Sequence, residues 1–424
     1  MTAQQHDAGG RPWRLATAGA IGNVLEWYDF AVYGYFAPII AHQFFPAEDP
    51  TISLIAAFGA FAAGFIMRPI GGAVFGYVGD RFGRSRALIL SILLMAVPTG
   101  LIALLPTYET VGLAAAALMV VLRMAQGMAV GGEYTSSVVF LAEHSPPGRR
   151  ALYSAFPLNG AFGGLLLASA ISAGLSTALS DAELSQWGWR IAFALGVAVA
   201  IVGYFMRRSL PATPEAASAE SPLALALALR AHWRGILRSA GVIVGYAAGF
   251  YIVFVYVVTW LVDRVKEPKS TALDINTLTL ASLFVFVPLA AWLSDRYGRR
   301  LLLVVGYAGL ALFAYPLVWL MHHPDASYIL SGQIALAFVI SLSAASIPSA
   351  VVESFPHSVR VTAVSISYNL TFAVFGGTAP MVAVWLIERE HDDLGFVWYL
   401  IATAVLSCLV ALTLKDRHKD PLDP

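Results

Sequence analysis

Apolar segments of about twenty residues recur along the whole chain and constrain its fold more than any other feature. A helix that rises 1.5 Å per residue needs about 20 apolar residues to cross roughly 30 Å of hydrocarbon. Segments of roughly this length lie at 15–41, 52–78, 87–105, 112–142, 151–178, 189–206, 237–262, 275–293, 301–320, 328–352, 361–387 and 395–414. They are continuous, whereas a transmembrane β-barrel needs alternating strands of about ten residues. The sequence therefore predicts an all-α integral membrane protein with twelve transmembrane helices.

Composition excludes a water-soluble globular domain as the alternative. Hydrophobic residues make up 58% of the chain and charged residues 12%. Soluble domains average roughly 45–50% hydrophobic residues and about 25% charged residues. The single cysteine, Cys408, excludes an intramolecular disulfide. The polar residues before Trp13 lack the pattern of a cleaved signal peptide, so we expect the first span to be retained.

A short charged motif occurs twice, about half of the 424 residues apart, and each copy lies between two apolar segments. The first copy is GYVGDRFGRSR at 76–86, and the second is DRYGRR at 295–300. The glycines permit a tight turn, and the aspartates can cap the N-terminus of the next helix. This spacing predicts a duplication that gives two pseudo-symmetric six-helix halves. We place the halves at 1–207 and 237–424, joined by a cytoplasmic linker at 208–236 that contains an interfacial helix.

The positive charges predict the orientation in the membrane. With a cytoplasmic N-terminus, nineteen of the 26 lysines and arginines fall in inside segments and five in outside segments. Such a bias predicts that both chain ends are cytoplasmic. The remaining two, Arg68 and Arg123, lie deep within predicted spans.

Ionisable residues inside the first half are the candidate functional groups. Glu26, Asp29 and Tyr33 share one face of the first span, and Glu26 lies roughly 15 Å from its cytoplasmic end. A carboxylate in hydrocarbon costs at least a few kcal/mol, so it usually faces the bundle interior or an aqueous path. The alternative is a structural ion pair with a nearby arginine. Arg68 can neutralise Glu26 or Asp29, or receive a substrate carboxylate, and the sequence does not choose.

The fourth span carries a polar stripe. Arg123, Gln126, Val130 and Glu133 fall within an arc of roughly 80° on a helix that turns 100° per residue. The alternative is a stripe for helix packing, because the glycines between these residues would by themselves permit close approach. Two opposite charges at this depth favour the functional interpretation.

Paired charges recur in the loops after the fourth and tenth spans. Glu143 and Arg150 flank the first of these loops. Glu353 and Arg360 flank the second, and each lies 210 positions after its counterpart. We predict that these charges and the motif charges form cytoplasmic networks that hold the halves together in the outward-facing state. The predicted gate residues are Asp80, Arg81, Arg84, Glu143, Arg150, Asp295, Arg296, Arg299, Glu353 and Arg360.

These motifs resemble those of a known family. The pattern G-x-x-x-D-R-x-G-R at 76–84 is similar to the loop 2–3 signature of the major facilitator superfamily. The pattern R-x-x-Q-G-x-x-x-G-G-E at 123–133 and the run from Glu353 to Pro380 resemble its metabolite:proton symporter branch. The resemblance implies a monomeric secondary transporter of the bacterial inner membrane with the proton as coupling ion. It implies no enzymatic activity, no cofactor, no metal and no nucleic-acid partner.

The resemblance and the buried charges together give the site predictions. Glu26, Asp29 and Glu133 are the proton-coupling candidates, with Arg68 and Arg123 as their partners. The candidate substrate-binding residues are Arg68, Arg123, Gln126, Tyr33, Asn159, Tyr251, Tyr368 and Asn369. Members of this branch carry di- or tricarboxylates, shikimate, proline or betaine. The tail after Leu414 is short and lacks a heptad coiled coil, which favours a carboxylate over an osmolyte. The second half has almost no charge within its spans, so we expect a mono- or dicarboxylate first, and a tricarboxylate stays open. A proline/betaine-type zwitterion, or a proton-independent facilitator of the same fold, stays as the alternative.

Overall fold

The structure is a computed structural model that describes residues 11–72, 74, 84–130, 133–208 and 229–422. These residues form helices and turns, and they contain no strand. The main helices are α1 Arg11–Tyr35, α2 Pro50–Gly72, α3 Arg84–Leu104, α4 Leu113–Glu143, α5 Arg150–Ala178, α6 Trp189–Arg208, α7 Trp233–Val265, α8 Lys269–Tyr297, α9 Arg299–Leu320, α10 Ala326–Val352, α11 Arg360–Glu390 and α12 Gly395–Leu412. A short helix, Ala37–Phe44, follows α1.

Ten helical segments in the described part of the chain are long and apolar enough to cross a membrane, and α3 holds a shorter apolar stretch, Leu90–Leu104. The prediction of an all-α membrane protein is confirmed. Local sequence explains several helix ends. Asp49 and Asp325 cap α2 and α10 by accepting hydrogen bonds from the amides of Thr51 and Ser327. Gly298 turns the chain between α8 and α9 with a φ of 103°, a conformation that favours glycine.

Helix contacts repeat with a shift of six helices. In the first half α1 packs on α5, α2 on α4, and α3 on both α4 and α6. The second half repeats this pattern, with α7 on α11, α8 on α10, and α9 on both α10 and α12. The halves meet through α5 against α8 and α2 against α11. These contacts give the two-half architecture predicted from the repeated motif.

Glycines allow α2 and α4 to approach each other closely. A Cβ atom added at Gly127 of α4 would overlap the carbonyl oxygen of Gly64 in α2. A Cβ atom at Gly71 would likewise overlap the carbonyl oxygen of Met128. The backbones of α2 and α4 therefore touch, which brings the arginine of each helix to the same side of α1.

We call the end with the α4–α5, α8–α9 and α10–α11 turns the inner end, and the opposite end the outer end, following the predicted orientation. Most of the first motif copy and residues 209–228 of the predicted linker lie outside the described residues. Helix α7 begins at Trp233, a few residues before the predicted span.

Candidate functional site

The first buried ion pair joins α1 and α2. Arg68 Nη2 lies 3.3 Å from Glu26 Oε1, and the two side chains are 1% and 7% exposed. The guanidinium carbon lies 4.1 Å from the ring centre of Phe65 and 5.0 Å from that of Phe30. Aromatic faces attract a desolvated guanidinium, so rings and a carboxylate together hold this charge.

The second ion pair joins α1 and α4 and is fully buried. Arg123 Nη1 lies 2.8 Å from Asp29 Oδ2, with both side chains 0% exposed. Asp29 Oδ1 accepts hydrogen bonds from Gln126 at 2.9 Å and from Thr99 of α3 at 2.7 Å. Arg123 also donates to Gln126 Oε1 at 2.8 Å and lies 4.5 Å from the ring centre of Tyr33. Three groups, those of Arg123, Gln126 and Thr99, thus converge on one carboxyl that can take up or release a proton.

The structure answers a question that the sequence left open, which arginine pairs with which carboxylate. Arg68 pairs with Glu26, and Arg123 pairs with Asp29. Thr99 is not among the residues predicted from the sequence, because a threonine in a transmembrane helix normally bonds the carbonyl one turn earlier in its own helix. Thr99 Oγ1 does lie 2.8 Å from the Met95 carbonyl oxygen, so its place beside Asp29 gave no sequence signal.

Three aromatic residues of the second half, Phe250, Tyr251 and Phe372, face the first ion pair, and we call them the aromatic wall. The Trp27 ring stacks on Tyr251 of α7 with centroids 6.2 Å apart and meets Phe250 and Phe372 edge-on. Tyr251 also packs edge-on against Phe65, the ring beneath Arg68. The Tyr251 hydroxyl and the Trp27 indole N–H are buried without a hydrogen-bond partner among the described residues. A bound solute or water can satisfy such groups.

The other predicted site residues that the structure describes make different contacts. Tyr33 donates its hydroxyl to the Ala57 carbonyl at 2.8 Å, within the first half. Tyr368 stacks on Tyr134 of α4 with centroids 4.7 Å apart, so this pair bridges the halves. Asn369 bonds Ser365 one turn earlier in α11. Asn159 is half-buried, with a side-chain oxygen that accepts no hydrogen bond within the described structure.

Glu133 begins the second part of α4, and its side chain is not among those described. Asp80 and Arg81 lie outside the described residues, as does the side chain of Arg84. Their predicted roles stay predictions. No group of three His, Cys, Asp or Glu in the described residues could hold a metal ion.

Ion pairs close the inner end between the halves. Arg150 Nη1 lies 2.6 Å from Glu353 Oε1, and Arg360 Nη1 lies 2.6 Å from Glu143 Oε1. Both pairs join the first half to the second. Arg299 Nη2 lies 3.0 Å from Glu353 Oε1 and extends the first network within the second half. Arg296, also a predicted gate residue, is exposed and stacks on Trp292 instead.

Asp295 caps a helix, but not the one expected. Its carboxylate accepts hydrogen bonds from the amides of Ala151 and Leu152, at 2.8 and 3.0 Å, in the first turn of α5. The expectation that it caps the next helix, α9, is therefore wrong. The Gly298 turn separates α9 from α8, and the carboxylate instead meets the positive end of a helix dipole in the other half.

Uncharged hydrogen bonds join the halves toward the outer end. Asn276 of α8 donates to the Tyr35 hydroxyl at 2.9 Å, and Thr277 to Ser169 of α5 at 2.8 Å. Tyr35 donates to the Phe254 carbonyl at 3.0 Å, within a π-helical turn of α7. Contacts between the halves thus lie on both sides of the central ion pairs.

Comparisons with known proteins agree with this architecture. The family described as sugar (and other) transporter matches residues 15–215, and the major facilitator superfamily matches residues 268–424. The alpha-ketoglutarate permease of Escherichia coli K12 is 36% identical over 96% of this chain and 95% of its own length. The proline/betaine transporter of the same strain is 30% identical over 97% of this chain and 85% of its own length. The crystal structure of a D-xylose-proton symporter superposes with a TM-score of 0.77 at 20% identity, covering 97% of this chain and 99% of that one.

Proposed function

The chain belongs to the major facilitator superfamily, in its metabolite:proton symporter branch, and we propose that it imports a small organic acid together with protons by alternating access. Its relatives are membrane transporters of small molecules and not enzymes. The coupling ion, the class of solute and the direction of transport are what the proposal adds. It also holds that the protein acts as a monomer, without a cofactor, in the bacterial inner membrane with both ends cytoplasmic.

The buried pair of Asp29 and Arg123 carries the proposal of proton coupling. A proton on Asp29 removes the negative charge that balances Arg123, while Thr99 and Gln126 can still bond a neutral carboxyl. The change alters the contact of α1 with α3 and α4 at the centre of the first half. A carboxyl whose protonation changes helix contacts can bias a protein between two conformations.

The pair of Arg68 and Glu26 supports a carboxylate solute. A guanidinium can donate two parallel hydrogen bonds to one carboxylate, and here it binds a single carboxylate oxygen at 3.3 Å. A solute carboxylate would compete with Glu26 for Arg68. Charged residues of the second half lie toward the ends of its helices, so the centre offers one arginine beyond the Asp29 pair among the described side chains. One available cation fits a mono- or dicarboxylate better than a tricarboxylate.

A zwitterion is the second candidate, and the aromatic wall together with Trp27 of α1 favours it. Trp27, Tyr251 and Phe372 meet within 6.3 Å of one another, centroid to centroid, beside the carboxylate of Glu26. Aromatic faces bind quaternary ammonium groups, and a nearby carboxylate adds to that attraction. A proline/betaine transporter is among the relatives.

The test is uptake into proteoliposomes under an imposed gradient that is acidic outside. The solutes are labelled 2-oxoglutarate, a labelled monocarboxylate, proline and glycine betaine. Asp29→Asn is measured beside the parent, and Glu390→Gln, a carboxylate-to-amide change at an exposed position, serves as the control. We expect the parent and the control to accumulate a carboxylate, and Asp29→Asn to lose accumulation while it retains solute exchange without a gradient.

Two results would contradict parts of the proposal. Accumulation of proline or betaine alone would replace the organic acid by the zwitterion. Equilibration without accumulation under every gradient would make the protein a facilitator and refute proton coupling.

A further inference from the structure

The segment that follows α12, Leu414–Leu422, lies across the inner end of the molecule, and we call it the tail. Leu414 is buried, and Asp416 accepts a hydrogen bond from the Arg300 amide at 3.2 Å. A Cβ atom at Gly298 would overlap the Asp416 carboxylate, so the glycine of the second motif copy makes room for the tail. The tail therefore begins fixed to the α8–α9 turn of the second half.

Hydrogen bonds keep the Asp416 carboxylate ionised. Burial acts to raise the pKa of Asp416, but hydrogen bonds from the ring and amide of His418 and from the Arg300 amide outweigh it. The pKa of Asp416 is consequently below its ordinary value. The contact with the α8–α9 turn thus persists at neutral pH.

Further along, the tail contacts the ion pairs that close the inner end. Arg417 Nη1 donates to the Glu353 carbonyl at 3.4 Å, and Arg150 Nη2 donates to the Asp420 carbonyl at 3.0 Å. Arg150 belongs to the first half, so the tail crosses the boundary between the halves. A cavity of about 250 Å³ lies between the tail and these ion pairs, and Arg150, Glu353, Arg417 and Asp420 are among the residues that line it.

We propose that the tail is a third component of the inner gate, which holds Arg150 against the second half and stabilises the inward-closed conformation. One guanidinium, that of Arg150, binds both the Glu353 carboxylate and the tail. Any opening that separates Arg150 from Glu353 must therefore also separate the first half from the tail. Contacts made only in the closed form shift the population toward it.

The expected effect of one such contact is modest. Arg417 and Asp420 are exposed, and exposed charged contacts change an equilibrium about 1.5- to fivefold. Removal of the whole tail removes several contacts and should have a larger effect than any single substitution.

The test measures access to the closed inner end and uses no transported solute. Ser154, in the first turns of α5, is 0% exposed, and Ser154→Cys in a Cys408→Ser background gives one reporter thiol. Its labelling rate with a membrane-impermeant maleimide is measured from each face of the membrane separately. The variants are Arg417→Gln and a deletion of residues 415–424. Lys419→Gln is the matched control, since it removes an equal charge from an exposed residue two positions away.

We expect labelling from the inner face to rise about 1.5- to fivefold in Arg417→Gln, and further in the deletion, with Lys419→Gln unchanged. Glu353→Gln removes the carboxylate that binds Arg150 and Arg299, and it shows that the reporter responds to an open gate. Equal rates in the parent, Arg417→Gln and the deletion, with a raised rate in Glu353→Gln, would overturn the proposal. If the deletion variant does not fold, the comparison of labelling rates between Arg417→Gln and Lys419→Gln decides whether the tail acts on the gate. Because the assay involves neither proton nor solute, it can fail while the proposed function stands, and the reverse also holds.

Discussion

Removing the two members of the buried pair one at a time should have unequal effects on stability. Asp29→Asn leaves the Arg123 guanidinium at 0% exposure without a counter-charge, and a guanidinium cannot give up its proton. Breaking a buried pair costs about 3–5 kcal/mol, and we expect about 3 kcal/mol because the rings of Phe30 and Tyr33 still hold Arg123. Arg123→Gln leaves a carboxyl that can neutralise itself by binding a proton and keeps its bond from Thr99, so about 1–2 kcal/mol is expected.

Thermal unfolding of the purified protein in detergent measures this difference. For a half of about 200 residues, 1 kcal/mol corresponds to about 2–4 °C, so Asp29→Asn should lower the midpoint by about 6–12 °C and Arg123→Gln by less. The double variant contains no buried charge at this place and should be more stable than Asp29→Asn alone. Equal losses in the single variants, or a double variant less stable than both, would refute the reasoning that an uncompensated charge dominates.

Three further predictions concern other parts of the molecule. Arg68→Lys replaces the planar guanidinium, which can donate two parallel hydrogen bonds, and should raise the half-saturating concentration of a carboxylate solute at least about tenfold. An unchanged value in uptake assays would show that Arg68 does not bind the solute. Gly127→Ala should destabilise the protein by at least about 2 kcal/mol, because its methyl group would meet the backbone of α2, whereas Gly59→Ala, with open space around it, should be neutral; similar thermal midpoints would contradict the packing argument. Asn276→Ala removes hydrogen bonds toward the outer end and should speed maleimide labelling, from the outer face, of Ser172→Cys in the Cys408→Ser background; Ser172 is 0% exposed and its hydroxyl makes no hydrogen bond within the described residues, and an unchanged rate would show that the Asn276 cluster does not keep the end closed.

The charged part of the site could be predicted from the sequence, while its pairing could not. A carboxylate or arginine in an apolar segment is conspicuous, because hydrocarbon makes it costly. Glu26 and Asp29, however, lie on one face of α1, so either can reach an arginine on α2 or α4. The choice depends on how closely those helices approach, which is set by the contact between Gly64 and Gly127. Such contacts involve backbone atoms in two distant segments, and no local pattern specifies them.

The uncharged hydrogen bonds between the halves could not be predicted from the sequence, for a different reason. Serine, threonine and asparagine are common in transmembrane helices and can bond a carbonyl of their own helix, as Thr279 does. Ser169 and Asn276 look the same in sequence, yet they join the halves. Whether such a residue bonds inside its helix or across an interface is decided by tertiary packing alone.

Helix α1 connects the groups that alternating access must coordinate. It carries Glu26 and Asp29, which hold the two central arginines, and Tyr35, which belongs to the outer hydrogen bonds. It also carries Trp27, which packs on the aromatic wall of the second half. A solute that takes Arg68 from Glu26 and a proton that takes Asp29 from Arg123 would both loosen α1 from the rest of its half. Because the inner end is held by charged pairs and the outer end by neutral hydrogen bonds, which are roughly half as strong, we expect movement of α1 alone to open the outer end first.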